Sequence, residues 1–167
     1  MYYQLTDAFE VSASAEDVWA FFSRAENLPD ITPPGLGFRV VTPAPVTIAN
    51  DALIDYTIKP VGWLRVRLRW RTRIIDWSPP RQFIDLQLRG PYALWHHQHT
   101  FAATERGTVE CRDRVLYKLP MGWVGRAVHA MGVKRQLLQI FRFRRKVIAE
   151  RLGWVRALQA DVEIARV

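Results

Sequence analysis

The stretch GPYALWHHQHTF at residues 90–101, followed by TVECRDRVLYKL at residues 108–119, decides the fold. Both segments alternate as β-strands do, and the loop between them places Gly107 where a hairpin usually needs a positive φ. If Thr104 pairs with Thr108, facing residues share one side of the sheet, because side chains alternate along a strand. That side then carries four facing pairs: Trp95 with Tyr117, His97 with Val115, His99 with Asp113, and Phe101 with Cys111. We therefore predict an inward apolar face with a few polar groups set into it.

The rest of the chain predicts five more strands and a long helix around this hairpin. Ser14 is an N-cap signal for a first helix, and a second short helix is expected before Pro33. Beyond Pro120, apolar residues from Val133 to Leu152 recur at helical spacing, which indicates one long amphipathic helix. The strands are expected at residues 2–11, 37–42, 52–59, 64–76 and 82–88.

This order of elements favours an α+β fold. A curved antiparallel sheet of about seven strands wraps on the long C-terminal helix, with two short helices after the first strand. We expect a single domain over residues 1–153, and a C-terminal tail or short helical extension over residues 154–167.

The composition of the chain limits its domain size, its disulfide content and the cellular location that we expect. The chain has 167 residues, enough for one domain with a sizeable core, and a single cysteine, so no intrachain disulfide can form. It shows no secretory signal, no lipidation motif and no apolar run of the ~20 residues that a membrane span needs. We expect a reducing, cytoplasmic location. The net charge of +8 suggests attraction to an anionic partner but sets no oligomeric state.

Five arginines occupy every second position of one predicted strand, so they share a face. They are Arg65, Arg67, Arg69, Arg71 and Arg73. One interpretation is a surface for anionic membrane headgroups. The other is a solvated outer face that Asp55 and Asp85 on neighbouring strands partly neutralise. Nucleic acid is an unlikely partner, because this face lacks the interleaved aromatic residues that stack on bases.

The polar residues on the inward face admit two interpretations. Asp113 could orient His99 as a general base, or the two could form a structural pair that satisfies itself. His97 and His99 with Asp113 resemble a partial metal site, but no fourth ligand is visible. We therefore expect no metal and no cofactor.

A set of large side chains could form the wall of a pocket. The set comprises Tyr56, Trp70, Trp95 and Tyr117 from the strands, and Phe141 with Arg144 from the helix. Arg144 lies beside the apolar stripe, where it could meet a ligand carboxylate or keep its head in water. Together, so many rings with polar tips on one face favour a pocket over a solid core.

Local motifs resemble the SRPBCC superfamily, which includes START lipid-transfer domains, polyketide cyclases and the birch-pollen allergen. The similarity spans about Phe9 to Leu152. Its motifs are Phe22-Ser23, Asn27-Leu28, Ile31-Thr32-Pro33-Pro34, Trp77-Ser78-Pro79-Pro80, Phe83, Asp85-Leu86-Gln87, Gly90-Pro91-Tyr92, Trp95, His97, His99, Phe101, Asp113, Val115, Tyr117, Leu119-Pro120, Phe141 and Arg144. The resemblance is closest to a bacterial subgroup described as ligand-binding or cyclase/dehydrase-like. It implies a helix-grip fold with a cavity for an apolar small molecule between sheet and long helix.

Three functions follow as hypotheses. The first is binding of an apolar or aromatic small molecule of the lipid, polyketide or isoprenoid class, which His97, His99 and Asp113 in the pocket would orient. The second is a cofactor-independent cyclase or dehydratase, in which His99 is the base, Asp113 orients it, and His97 or Tyr117 donates to a developing oxyanion. The third is a lipid carrier that docks on anionic membrane through its arginine row.

Overall fold

The predicted hairpin forms the middle of the sheet. A computed structural model describes residues 1–46, 48–59 and 66–167. The Thr104 amide donates to the Thr108 carbonyl at 2.9 Å, and Gly107 takes a φ of 76°. The four predicted facing pairs, from Trp95 with Tyr117 to Phe101 with Cys111, are confirmed.

Nine strands of the described residues form one antiparallel sheet, in the order β2-β3-β4-β5-β6-β7-β1-β8, with β9 also paired to β1. Each strand is short enough to be bounded by a turn, a proline or a glycine. The strands are β1 (Tyr3–Val11), β2 (Arg39–Val40), β3 (Leu53–Ile58), β4 (Leu68–Ser78), β5 (Gln82–Arg89), β6 (Leu94–Ala103), β7 (Val109–Lys118), β8 (Trp154–Ala157) and β9 (Glu163–Arg166). The start of the strand expected at 64–76, including Arg65, lies outside the described residues.

The first helix, α1 (Ala15–Phe22), begins as predicted. The Ser14 side chain accepts from the Asp17 amide at 3.1 Å, which satisfies one of the free amides of the first turn. The second predicted helix is shorter than expected. Only the 3₁₀ turn Ala25–Asn27 forms, followed by another at Pro34–Leu36, because the prolines nearby remove the amides that a longer helix needs.

The long helix predicted from Val133 to Leu152 is confirmed, and it is the last part of a helical segment whose α-helical geometry is interrupted once by a π-helical turn. The whole segment comprises α2 (Gly122–Val128), a π-helical turn (His129–Val133) and α3 (Lys134–Leu152). Helix α3 buries Leu137, Phe141 and Ile148 against the concave face of the sheet and ends at Gly153, whose φ is 78°. Three glycines in the first part weaken helical propensity there, which is consistent with the interruption. No helix among the described residues is long and apolar enough to cross a bilayer.

Residues 154–167 form strands, so the helical extension expected there is wrong. Phe9 of β1 pairs with Ala157 of β8, and Tyr3 pairs with Arg166 of β9. One edge of β1 is covered by β7, and an open second edge would leave backbone groups unpaired. Strands β8 and β9 pair with that second edge of β1. The described residues therefore form nine strands rather than the predicted number of about seven.

We predict that Gly125→Ala destabilises the protein by about 1–3 kcal/mol, because an added Cβ would lie 2.2 Å from the Pro120 carbonyl oxygen. The matched control is Gly132→Ala, where nothing lies within 4 Å of the new Cβ. There a higher helix propensity should leave stability unchanged or raise it by up to about 1 kcal/mol. Urea unfolding of both variants measures the difference, and equal stabilities would contradict the packing described for α2.

Candidate functional site

Two histidines lie between two carboxylates on the inner face of the sheet. His97 contacts Asp113 through Nε2 at 2.8 Å and Asp85 through Nδ1 at 3.1 Å. His99 places Nδ1 2.8 Å from Asp113 and Nε2 3.3 Å from Asp85. The two imidazole ring centroids are 3.8 Å apart. We call these four residues the His–Asp cluster.

The sequence interpretation of Asp85 is wrong. As a partner for the arginines, Asp85 is expected on the outer face, but Asp85 pairs with His97 and Phe83 pairs with His99, so all of them face inward. A bulge between Arg71 and Thr72 shifts the register of β4 and β5 at the end of the arginine row. A signal is nevertheless present in the sequence, because Asp85 lies two residues after the apolar Phe83 and therefore shares its face.

Mutual pairing sets the protonation of the His–Asp cluster. Burial alone would raise the pKa of both carboxyls. At Asp85 this effect is outweighed by His97 and His99, and at Asp113 it is outweighed by Arg144 and the same two imidazoles. The pKa values of both carboxyls therefore lie below the ordinary range. Burial lowers the pKa of His97, yet the two carboxylates outweigh it and hold that pKa above its usual value. Compared with the free side chains, the surroundings therefore stabilise the ionised form of both carboxyls and the protonated form of His97.

Arg144 of α3 approaches the same cluster. Its Nε atom lies 3.8 Å from Asp113 Oδ2, and its guanidinium lies over the Phe22 ring, 5.6 Å from the centroid. The side chain is only 12% exposed, and its buried Nε atom makes no hydrogen bond to a described residue. The long helix thus brings a partly unsatisfied cation to the inner face of the sheet.

A cavity of about 210 Å³ lies between the sheet and α3. The His–Asp cluster contributes His97, His99 and Asp85 to its wall, and α3 contributes Arg144. The aromatic part of the wall comprises Tyr56, Trp70, Tyr92, Trp95 and Phe141. These rings contact one another: the Trp70 centroid lies 5.3 Å from that of Trp95 and 5.5 Å from that of Tyr56.

Two residues expected in the pocket lie behind its wall. Asp113 and Tyr117 are not among the described residues that line the cavity. Asp113 acts on the cavity through the two histidines that it holds. Tyr117 is fully buried, and its hydroxyl lies 2.7 Å from His129 Nε2 in the π-helical turn. Conversely, Tyr92 lines the cavity and is absent from the predicted set, although it follows the Gly-Pro break directly.

The arginine row is largely engaged within its own face. Arg67 donates to the Gly37 carbonyl and the Thr57 hydroxyl, each at 2.9 Å. Arg71 pairs with Asp55 at 2.7 Å, and Arg73 pairs with Asp51 at 2.5 Å. The remaining described member, Arg69, is exposed and lies opposite Thr57, whereas Arg65 lies outside the described residues.

Metal binding would compete with the pairing of histidines and carboxylates in the His–Asp cluster. Asp85, His97 and His99 each offer a ligand atom within 4.8 Å of the others, so these three residues could hold a cation. However, a metal needs neutral imidazoles, and the pKa of His97 is raised. All four ring nitrogens also lie within 3.3 Å of a carboxylate. A metal bound there would therefore have to displace the contacts between these imidazoles and the carboxylates.

We predict that Asp113→Ala destabilises the protein by about 1–3 kcal/mol, because it leaves two buried imidazoles without this acceptor. Asp55→Ala, which removes the partner of Arg71 on the outer face, is the control and should cost clearly less. Chemical denaturation at neutral pH gives both values. Equal losses would mean that the cluster contributes no more than a surface pair.

The raised pKa of His97 predicts a pH dependence. Folding gains stability from a histidine whose pKa is higher in the folded state. That gain is fully present below the unfolded value of about 6.5 and is lost as the pH rises through the folded pKa. An NMR titration should place the pKa of His97 above 6.5 and show it fall in Asp85→Asn. A midpoint at or below 6.5 in the unmutated protein would contradict the arrangement.

Solved structures share this fold at low sequence identity. A START superfamily protein from Mycobacterium smegmatis has a TM-score of 0.66 at 12% identity, with 90% of this chain and 97% of that chain covered. A protein from Thermus thermophilus has a TM-score of 0.67 at 14% identity, with 89% and 96% covered. Norcoclaurine synthase from Thalictrum flavum, in complex with dopamine and hydroxybenzaldehyde, has a TM-score of 0.61 at 16% identity, with 90% and 88% covered. No curated protein matches the chain by sequence.

A family comparison covers most of the chain. The family described as polyketide cyclase / dehydrase and lipid transport matches residues 11–142, from the end of β1 into α3. The α+β helix-grip architecture and the SRPBCC resemblance are confirmed by this match and by the START-like neighbours. The chain belongs to the polyketide cyclase / dehydrase and lipid transport family.

Proposed function

We propose that the protein binds a small, mainly apolar molecule that carries one acidic or hydrogen-bond-accepting group. The observation that carries the proposal is the cavity between sheet and α3, whose wall combines stacked aromatic rings with a buried arginine and two histidines. Apolar walls with a few convergent polar groups are typical of small-molecule sites. Family membership supports the same class of ligand.

The size of the cavity limits the size of the ligand. Its volume of about 210 Å³ exceeds the roughly 150 Å³ of an engineered cavity that binds benzene. It lies below the roughly 300–1,000 Å³ of sites for drug-sized molecules. Within the lipid, polyketide and isoprenoid classes, a compound of one or two rings fits better than a two-chain lipid. Burying about 300 Å² of apolar ligand surface at about 25 cal/mol per Å² gives about 7 kcal/mol before association costs, so micromolar affinity is reasonable.

The polar part of the wall selects the head of the ligand. Arg144 lines the cavity, and its buried Nε atom lacks a hydrogen-bond partner among the described residues. A carboxylate, phenolate or carbonyl oxygen on the ligand would supply an acceptor for this guanidinium. The carboxylates of Asp85 and Asp113 offset the positive charges of Arg144 and of a protonated His97, so the guanidinium selects the ligand head by hydrogen bonding. A hydrogen-bond-accepting head is therefore preferred over one that only donates.

An enzymatic role is the second candidate, and the His–Asp cluster at the cavity wall favours it. His99 would act as base with Asp113 orienting it, and His97 would donate to a developing oxyanion. Tyr117, the other candidate donor, is bonded to His129 behind the wall. Binding remains the first proposal because every ring nitrogen of the two histidines lies within 3.3 Å of a carboxylate, although His99 Nδ1 makes no hydrogen bond there. A cytoplasmic location remains part of the proposal and is consistent with the buried free thiol of Cys111.

Native mass spectrometry of the purified protein tests the binding proposal. We expect a retained compound of one or two rings with an acidic or carbonyl group, and we expect Arg144→Met to lose most of it. The control is Arg142→Met, two residues away on α3, which removes a surface pair with Asp161. Equal retention in the two variants would show that Arg144 does not hold the ligand head, and a ligand-free protein in every preparation would argue against binding.

The same measurement separates binding from turnover. If the protein is only a binding module, His99→Ala should retain the same compound as the unmutated protein, with at most weaker occupancy. If it is an enzyme, His99→Ala should retain a precursor that differs in mass, such as one that has not lost water. A new mass in His99→Ala would therefore favour the enzymatic candidate.

A further inference from the structure

The surface formed by α2 and the π-helical turn exposes large apolar side chains. Met121 is 72% exposed, Trp123 78%, Val128 43% and Met131 78%. Trp123 and Met131 are eight residues apart on one continuous helical segment, so they lie near the same side. We call this surface the α2 face. Large apolar residues grouped on a surface mark an interaction site more often than single scattered ones do.

The opposite side of the same segment is fixed against the body of the protein. Gly125 packs so closely that a Cβ would meet the Pro120 carbonyl oxygen at 2.2 Å. His129 stacks on Tyr3 with ring centroids 3.7 Å apart and bonds to the Tyr117 hydroxyl. These contacts orient the segment, so Trp123 and Met131 remain outside while Gly125 and His129 are buried.

Positive charge surrounds the α2 face. Residues 114–149 contain no aspartate and no glutamate. Arg126 within the face is exposed, and Lys134 and Arg135 follow it at the start of α3, also exposed. Exposed tryptophan and methionine beside several cations are typical of helices that lie in the interface of an anionic bilayer. A second copy of the chain fits less well, because self-association would bring these like charges together.

We propose that the α2 face docks the protein on an anionic lipid bilayer. Trp123 and Met131 enter the headgroup region, and Arg126, Lys134 and Arg135 contact the phosphates. This surface differs from the arginine row on the outer side of the sheet, of which Arg67, Arg71 and Arg73 are bonded to Gly37, Asp55 and Asp51. Docking does not depend on the identity of any ligand in the cavity.

The α2 face is also connected to the cavity. Leu119, just before α2, and Val133, at the end of the π-helical turn, both line the cavity wall. The segment between them therefore separates this end of the cavity from the surface that would meet the bilayer. Docking would place an apolar compound dissolved in the membrane next to this segment, which the compound must pass to enter the cavity.

Co-sedimentation with vesicles tests the proposal without added ligand. The full chain should bind vesicles of phosphatidylcholine with phosphatidylserine, bind vesicles of phosphatidylcholine alone weakly, and lose binding as salt is raised. Trp123→Ala should lower the partition coefficient on the order of tenfold. Arg126→Ala should lower it about fivefold.

Two matched variants serve as controls. Trp154→Ala removes another exposed tryptophan, on β8, and Arg69→Ala removes an exposed arginine of the outer sheet face. Both should bind as the unmutated protein does. The proposal is overturned if phosphatidylserine gives no gain in binding, or if the control variants lose as much as Trp123→Ala and Arg126→Ala. It is also overturned if Trp123→Ala converts a dimer into a monomer in sedimentation velocity, since the face would then bind a second copy.

Discussion

Two carboxylates and two imidazoles can stay in this apolar interior only because they lie in direct contact with one another. An ionised group alone in such surroundings would cost several kcal/mol, whereas paired groups within 3.3 Å offset most of that cost. The pairing needs three strands in register, because Asp85 comes from β5, the histidines from β6, and Asp113 from β7. A slip of one residue in either pairing would turn charged side chains out and apolar side chains into water.

The same constraint explains why the protein keeps a cavity. The cluster holds polar atoms at one end of the concave face, and Arg144 of α3 approaches Asp113 rather than filling the space with an apolar chain. The aromatic rings beside it contact one another at their edges, which leaves room between the sheet and the helix. The proposed binding would thus be a consequence of how the interior balances charge. An apolar ligand with an acidic head would complete both the packing and the hydrogen bonding.

Structural features that follow from the alternation of side chains along a strand can be predicted from the sequence. Features that depend on irregular or very short elements are missed. The register of β6 and β7 follows from the hairpin loop, so the placement of His97, His99 and Asp113 could be predicted. The inward face of Asp85 could also have been predicted, because Asp85 lies two residues after Phe83; it is missed when Asp85 is treated as a partner for the arginine row. The strands β8 and β9 have four residues each, too few for a periodic signal, and they form only because β1 has an open edge. The π-helical turn likewise depends on contacts of His129 that lie far away in sequence.

The most direct test of the account is whether an aromatic acid enters the cavity. Methyl NMR of isoleucines can follow the addition of 1-naphthoic acid, a two-ring carboxylate. Ile54 and Ile74 line the cavity, whereas Ile84 and Ile148 are equally buried elsewhere. The account predicts saturable shifts of the Ile54 and Ile74 methyl signals with Ile84 and Ile148 unchanged. Unchanged signals at all four residues, or shifts at Ile84 and Ile148 alone, would contradict it.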